Sequence, residues 1–220
     1  MKEEYFTGEN LHQKAHKLLR EAKAIVPGRG FVFAPSQAAL LVVDMQKYFL
    51  RNSSHAYIPA SKAVLPRIKA LIHSFYENGR PVFFTRHLNT EQNAKLMSVW
   101  WTDFIRETNP LSEITEELDS SQSIIIKKSQ YDAFFETPLE AMLNEKRVTQ
   151  LVICGVMTHL CCETTVRSAF VRGFEVFFPV DGTATYNEQI HLASLKNLAN
   201  GFAMPTLVEE ILSLMKASDE

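Results

Sequence analysis

The feature that most restricts what this chain can fold into is the run Ala38–Val43, AALLVV, apolar at every position and closed by Asp44. A half-exposed strand alternates apolar and polar residues, because successive side chains point to opposite faces. A run without alternation has both faces covered, as in the interior of a parallel sheet. Residues 149–156 read the same way, and runs at 81–87, 123–127, 175–180 and 202–206 supply further strands. Between them lie helical stretches at 59–78, stopped by Gly79, and at 137–145, with Thr137 as N-cap and Pro138 at the first helical position. Others span 160–172, stopped by Gly173, and 188–200, before a last amphipathic helix. Segment 90–107, polar and aromatic with Trp100 and Trp101, is expected to form a helix and a lid. Strands alternating with helices predict a three-layer α/β/α domain around a central, mostly parallel, Rossmann-like sheet.

A chain of 220 residues suits one such domain, and 46% apolar residues suffice for its core. Residues 9–24 carry Leu11, Ala15, Leu18 and Leu19 at helical spacing ahead of Pro27 and Gly28. Residues 1–36 therefore read as an N-terminal helical extension that packs on the domain, 37–220, or on a neighbouring subunit. The formal net charge is -2 with no long charged block, which argues against nucleic acid or an anionic membrane as partner. No run approaches the roughly 18 apolar residues of a membrane span. The start, MKEEYFTGENLHQK, is polar and acidic where a secretory signal would be basic and then apolar. Cys154, Cys161 and Cys162 lie too close together for a secreted disulfide framework, so the cytoplasm is the expected compartment. Expected partners are a small-molecule substrate and further copies of the chain, as a dimer or tetramer.

Three apolar runs end in chemistry: LLVVDMQ in Asp44, IIIKKSQYDAF in Lys128, and LVICGVMTHLCCETT in Cys161. Ligands of open α/β sheets bind beyond the carboxyl ends of the strands, so an acceptor of protons, a fixed positive charge and a nucleophile should converge there. A cysteine at a strand-to-helix turn meets unpaired backbone N–H groups and the helix dipole, which would lower its thiol pKa. Cys154, inside its apolar run, reads as core, and Cys162 as a packing residue.

The ordered set Asp44, Lys128-x-x-Tyr131-x-x-Phe134 and Gly155-Val156-x-Thr158-x-x-Cys161 resembles the isochorismatase-like family of cysteine hydrolases. That family includes nicotinamidases, N-carbamoylsarcosine amidohydrolases and isochorismatases, and the likeness runs from about residue 38 to 215. It implies that Asp44 takes the Cys161 proton and later activates water, and that Lys128 holds thiolate and carboxylate together. Lys127 would be one position too far from Tyr131, and strand alternation points it to the other face. The resemblance also implies an oxyanion hole from the backbone N–H groups of Met157 and Cys161, with a cis peptide between Val156 and Met157.

Nicotinamidase-type members of that family carry Asp-x-His and a later His that bind a divalent ion. This chain has Thr85 and His87 in TRHLNTEQNAKLMSVWW, so neither metal nor cofactor is expected. Phe49, Arg86, His87, Trp100, Trp101 and Tyr131 flank the expected pocket as substrate-binding candidates, whereas His159 is expected to point off-site. The implied activity is a metal-independent amidohydrolase for a small amide, ureide or carbamoyl compound. Isochorismatase-type vinyl ether hydrolysis and nicotinamidase activity are the alternatives, but the former needs only the Asp, so a retained Cys161 favours attack on a carbonyl. A pocket that only binds its ligand and a redox role for the Cys161–Cys162 pair are readings from other classes.

Overall fold

A computed structural model of the chain describes residues 1–28, 30–101 and 103–217. In chain order the elements are α1 (Leu11–Lys23), β1 (Ala38–Val43), α2 (Lys47–Leu50), α3 (Ser61–Glu77), β2 (Val82–His87), α4 (Met97–Trp100), β3 (Ile124–Lys128) and α5 (Leu139–Glu145). There follow β4 (Gln150–Val156), α6 (Glu163–Val171), β5 (Glu175–Pro179), β6 (Thr183–Ala184), α7 (Glu188–Gly201), β7 (Met204–Thr206) and α8 (Val208–Lys216). The sheet runs β3-β2-β1-β4-β5-β7, with β6 beside β4, and every pairing is parallel. Helices flank this sheet to make three layers. Helix α3 packs on β1 and against α8, while α6 and α7 pack together over β5 and β7.

Strands β1 and β4 are buried at every position, as their unbroken apolar runs require. The chain winds outward from β1 to β3 on one side and then returns to β4 on the other, so the sheet changes winding direction between β1 and β4. A crevice opens beyond the carboxyl ends at such a point. Gly155 tightens it: with φ 116 its backbone lies so close to β1 that a Cβ would sit 2.1 Å from the Val43 carbonyl oxygen. The edge strand β3 alternates instead, with Lys127 exposed and Lys128 buried.

Helix α1 buries Leu11, Ala15, Leu18, Leu19 and Ala22 on one stripe, which packs on α7, the turn Val180–Gly182 and β7. Ahead of it, Tyr5 and Phe6 are buried against His191 of α7.

Three local expectations fail for identifiable reasons. Among the described residues of segment 90–107, most are irregular and helix is present only at α4. Thr90 and Asn93 cap one another's N–H groups in a tight turn, and Lys95 then enters the left-handed region at φ 50, which breaks a helix. Helix α5 starts later than expected, at Leu139 with Pro138 in the cap position, while the Thr137 hydroxyl donates back to the Ala133 carbonyl at 2.6 Å and still accepts the Leu139 N–H at 3.4 Å. The helix after β4 is a wide π-type turn over Thr158–Cys162 before α6 begins. Among the described residues no helix is long and apolar enough to cross a membrane.

Candidate active site

Four adjacent strands, β3, β2, β1 and β4, deliver Lys128, His87, Asp44 and Cys161 side by side at their carboxyl ends. Asp44 leaves β1 with φ 49, a left-handed conformation that Asp tolerates better than most residues. The Val156–Met157 peptide after β4 is cis, and the π-type turn that follows carries Cys161. Lys128 is the register partner of His87, so its long side chain crosses over β2 to reach the end of β1.

The Lys128 ammonium is the hub. Its Nζ lies 2.7 Å from Asp44 Oδ2 with both side chains fully buried, and it donates to Cys161 Sγ at 3.4 Å and to the Gln130 carbonyl at 3.0 Å. His87 Nδ1 accepts from it at 3.2 Å. The ring tautomer follows from the next neighbour. Asn89 Nδ2 donates to the Ser129 carbonyl at 2.8 Å, which turns its Oδ1 to accept from His87 Nε2 at 2.9 Å. His87 is therefore neutral with its proton on Nε2, and burial, with Lys128 beside it, pushes its pKa down to about 4.

Asp44 is held from the other side by Thr85, whose hydroxyl donates to Oδ1 at 2.6 Å and accepts from the Asp44 N–H at 3.0 Å. The contact of Oδ2 with Lys128 is one of charge, without an aligned hydrogen bond, and the Cys161 thiol neighbours the same carboxylate. Burial pushes the Asp44 carboxyl up, but Lys128 and His87 outweigh it and hold the group below its ordinary value. Burial lowers the Lys128 ammonium, and Asp44 with Cys161 more than reverses that. For Cys161, burial and then the Asp44 charge push the thiol up against the opposing pull of Lys128. The expectation of a low thiol pKa fails because an anion on Sγ would sit buried beside a carboxylate. At rest the site holds thiol, carboxylate and ammonium.

Asp44, His87 and Cys161 place ligand-type atoms close enough to share a cation. The cation at their centre is Lys128 Nζ. The ion site of nicotinamidase-type members does not fit here either, because Thr85 is bound to Asp44 and both ring nitrogens of His87 are engaged.

Above this floor a cavity of about 250 Å³ opens to solvent. Of the residues singled out in the sequence, Phe49, His87, Trp101, Tyr131, Met157 and Cys161 line it. The Trp101 indole N–H donates to the Tyr131 hydroxyl at 2.7 Å and ties segment 88–105 to the end of β3. Two candidates are corrected. Arg86 points away from the cavity, its guanidinium donating to the Ser112 carbonyl and hydroxyl and pairing with Glu113 at 2.5 Å, because alternation along β2 sends it to the face opposite His87. Trp100 is 78% exposed and lies outside the lining, since the single turn of α4 turns it to solvent while Trp101 faces in.

Sequence reasoning missed Tyr48, Asn89, Phe104, Tyr186 and Lys2 in the lining, and Gln46 below it. Gln46 stitches β1 to β2, donating to the His87 and Ser112 carbonyls at 3.1 and 2.7 Å and accepting from the His87 N–H at 2.8 Å. A buried glutamine two residues after the strand-end Asp44 was the available signal; nothing local marks Lys2 or Tyr186. His159 stays out of the lining, bonded to the Thr185 hydroxyl.

The family model described as Isochorismatase domain matches residues 38–210. Nicotinamidase 3 of Arabidopsis thaliana is 42% identical over 171 residues, covering 76% of this chain and 82% of that protein. Enterobactin synthase component B of Escherichia coli is 31% identical over 185 residues, and the match covers 83% of this chain and 65% of that longer protein. Among solved structures, a cysteine hydrolase from Pseudomonas syringae pv. phaseolicola has the same fold, with a TM-score of 0.80 at 24% identity over 88% of this chain and 98% of that one.

Proposed function

The chain belongs to the isochorismatase family of hydrolases, and from that premise we propose that it cleaves a C–N bond of a small amide, ureide or carbamoyl compound through a thioester, without a metal. The observation that carries this reading is a thiol at the floor of a largely aromatic cavity, beside a carboxylate kept ionised by a buried lysine. Asp44 takes the proton as Cys161 Sγ adds to the carbonyl carbon, and Lys128 supports the sulfur while negative charge passes to the oxygen. The backbone N–H groups of Met157 and Cys161 receive the oxyanion. The proton held by Asp44 goes to the departing nitrogen, which leaves as ammonia or an amine, and water activated by Asp44 then cleaves the thioester to carboxylate and thiol.

The name of the Arabidopsis relative puts nicotinamide on the list of substrates to try, and the lining would stack a flat ring. The same reading places the enzyme in the cytoplasm, in keeping with three free thiols, and in a homo-oligomer, with Leu96, Val99 and Trp100 offering an exposed apolar contact. Light scattering would measure that assembly.

The test is ammonia release across amides, ureides and carbamoyl acids, nicotinamide included, with chelator present and Cys161→Ala as control. Release that needs Cys161 and ignores the chelator is expected; full turnover by Cys161→Ala overturns the reading. Vinyl ether hydrolysis needs only Asp44 as proton donor, so silence across the panel would turn the assay to isochorismate, with pyruvate as readout.

A further inference from the structure

The first residues of the chain form part of the pocket, although they lie outside the matched domain. They are held there by several independent ties. The Glu3 N–H donates to the Tyr186 carbonyl at 2.7 Å, the Tyr5 hydroxyl accepts from the Thr185 N–H at 3.0 Å, and Tyr5 and Phe6 are buried against His191. This anchoring fixes Lys2 at the cavity wall, its Nζ donating to the His55 carbonyl and lying 5.3 Å from the centre of the Tyr186 ring.

Both of those partners are neutral. A carbonyl and a ring face orient an ammonium without cancelling its charge. Lys2 is largely exposed, partial burial lowers its ammonium below the ordinary value, and among the described residues it makes no ion pair. The other charged side chain in the upper lining, Asp103, is engaged elsewhere, by the Tyr48 hydroxyl at 3.3 Å and by Arg106 at 3.8 Å. The remaining wall is mostly aromatic and aliphatic, including Phe49, Met97, Phe104 and Ile105. A lone ammonium at the rim of an apolar cavity attracts an anion at the end of the ligand away from the reacting centre.

We infer that Lys2 forms an anion subsite, so that the substrate is a small amide or ureide with a carboxylate, or an acid of like charge, at the end remote from Cys161. This rests on the amidohydrolase reading for the identity of the reacting end, and it ranks carbamoyl acids above nicotinamide as substrates. The part of the chain that selects the substrate's charge then lies some forty residues ahead of the part that performs the chemistry.

The test is calorimetric binding in a Cys161→Ala background, where turnover cannot intervene. The probes are succinamate with its neutral diamide and 4-carbamoylbenzoate with terephthalamide, two spans of the same pairing. The anionic member of at least one pair should bind about tenfold tighter, as one charge-assisted contact provides. That preference should vanish in Lys2→Met, return in Lys2→Arg and shrink with added salt. Equal binding within both pairs, no binding by either acid, or a preference that survives Lys2→Met overturns the inference. The amidohydrolase reading fails by a different sign, ammonia release independent of Cys161, which would leave the binding preference in place.

Discussion

The floor of the pocket comes from the ends of four adjacent strands, whereas its rim is gathered from residue 2, the turn after β1, segment 88–105 and the loop after β6, little of it in regular structure. On the floor the polar side chains are tied into one network, in which Lys128 alone touches Asp44, His87, Cys161 and Gln130. At the rim the ties form short separate links: Trp101 bonds Tyr131, the Tyr48 hydroxyl meets His55 and Asp103, and Lys2 rests on the His55 carbonyl and the Tyr186 ring. On the proposed function, that division gives bond-breaking to the sheet and choice of ligand to segments that can vary without disturbing it.

The sharpest break between the two is expected in turnover. Cys161→Ala and Asp44→Asn should each lower kcat by roughly a thousandfold or more, as removal of a nucleophile or its base does. Trp101→Phe, which loses the indole bond to Tyr131, should raise KM several-fold and leave kcat nearly intact. Steady-state kinetics on the first active substrate separate these outcomes, and a kcat loss in Trp101→Phe as large as that of Cys161→Ala would erase the distinction.

The next largest effect is on stability. Lys128→Met leaves Asp44 buried without its counter-charge, which costs about 3 to 5 kcal/mol when one partner of a buried pair is removed. The double variant Asp44→Asn, Lys128→Met removes both charges and should recover much of that loss. Chemical denaturation of the two variants side by side measures the difference; equal destabilisation would mean that the pair is not coupled as its geometry implies.

How far each region could be read from sequence follows the same division. The floor was legible because apolar runs end close to Asp44, Lys128 and Cys161, and because the resemblance implies the spacing to Tyr131 that picks Lys128 over Lys127, with strand alternation in support. Alternation also held the correction for Arg86, since it places Arg86 and His87 on opposite faces of β2, as it does Lys127 and Lys128 of β3. The rim was illegible because it is made by chain closure. Lys2 meets His55 and Tyr186 only after the whole domain has folded, and Lys95 breaks the expected lid helix through a backbone angle that its side-chain type does not announce. The thiol pKa was misread for a related reason: the turn was visible, but the burial that outweighs its dipole was not.

A second buried histidine links the regions. His191 Nε2 donates to the Val180 carbonyl at 3.2 Å and its Nδ1 accepts from the Thr158 hydroxyl at 3.0 Å, so it is neutral, holding the nucleophile turn below and Tyr5 and Phe6 above. Burial pushes its pKa down to about 3, against an ordinary 6.5. Between those values the unfolded chain binds a proton that the folded chain refuses. Stability is complete above pH 6.5 and is lost as pH falls towards 3, and His87, at about 4, acts with the same sign. Melting temperature should decline from pH 6.5 to 4, and His191→Gln should flatten that slope while lowering stability at pH 7. An unchanged slope in His191→Gln would place the acid sensitivity elsewhere.

The smallest expected effect concerns the residue that sequence placed at the rim and the structure removed from it. Arg86 is nearly buried, with its guanidinium on the Ser112 carbonyl and hydroxyl and on Glu113, and the same carbonyl accepts from Gln46. Its work is to fasten residues 112–113 to the underside of the β1–β2 floor. Arg86→Met keeps the length of the aliphatic stem and loses the donors, so it should cost about 1 to 3 kcal/mol in denaturant unfolding, the range for charged hydrogen bonds. The ratio kcat/KM should stay within about twofold, for acidic and neutral substrates alike. A selective loss on acids would return Arg86 to the pocket and take the charge-selecting role from Lys2; an equal and small change leaves selection at the rim and fastening beneath the floor.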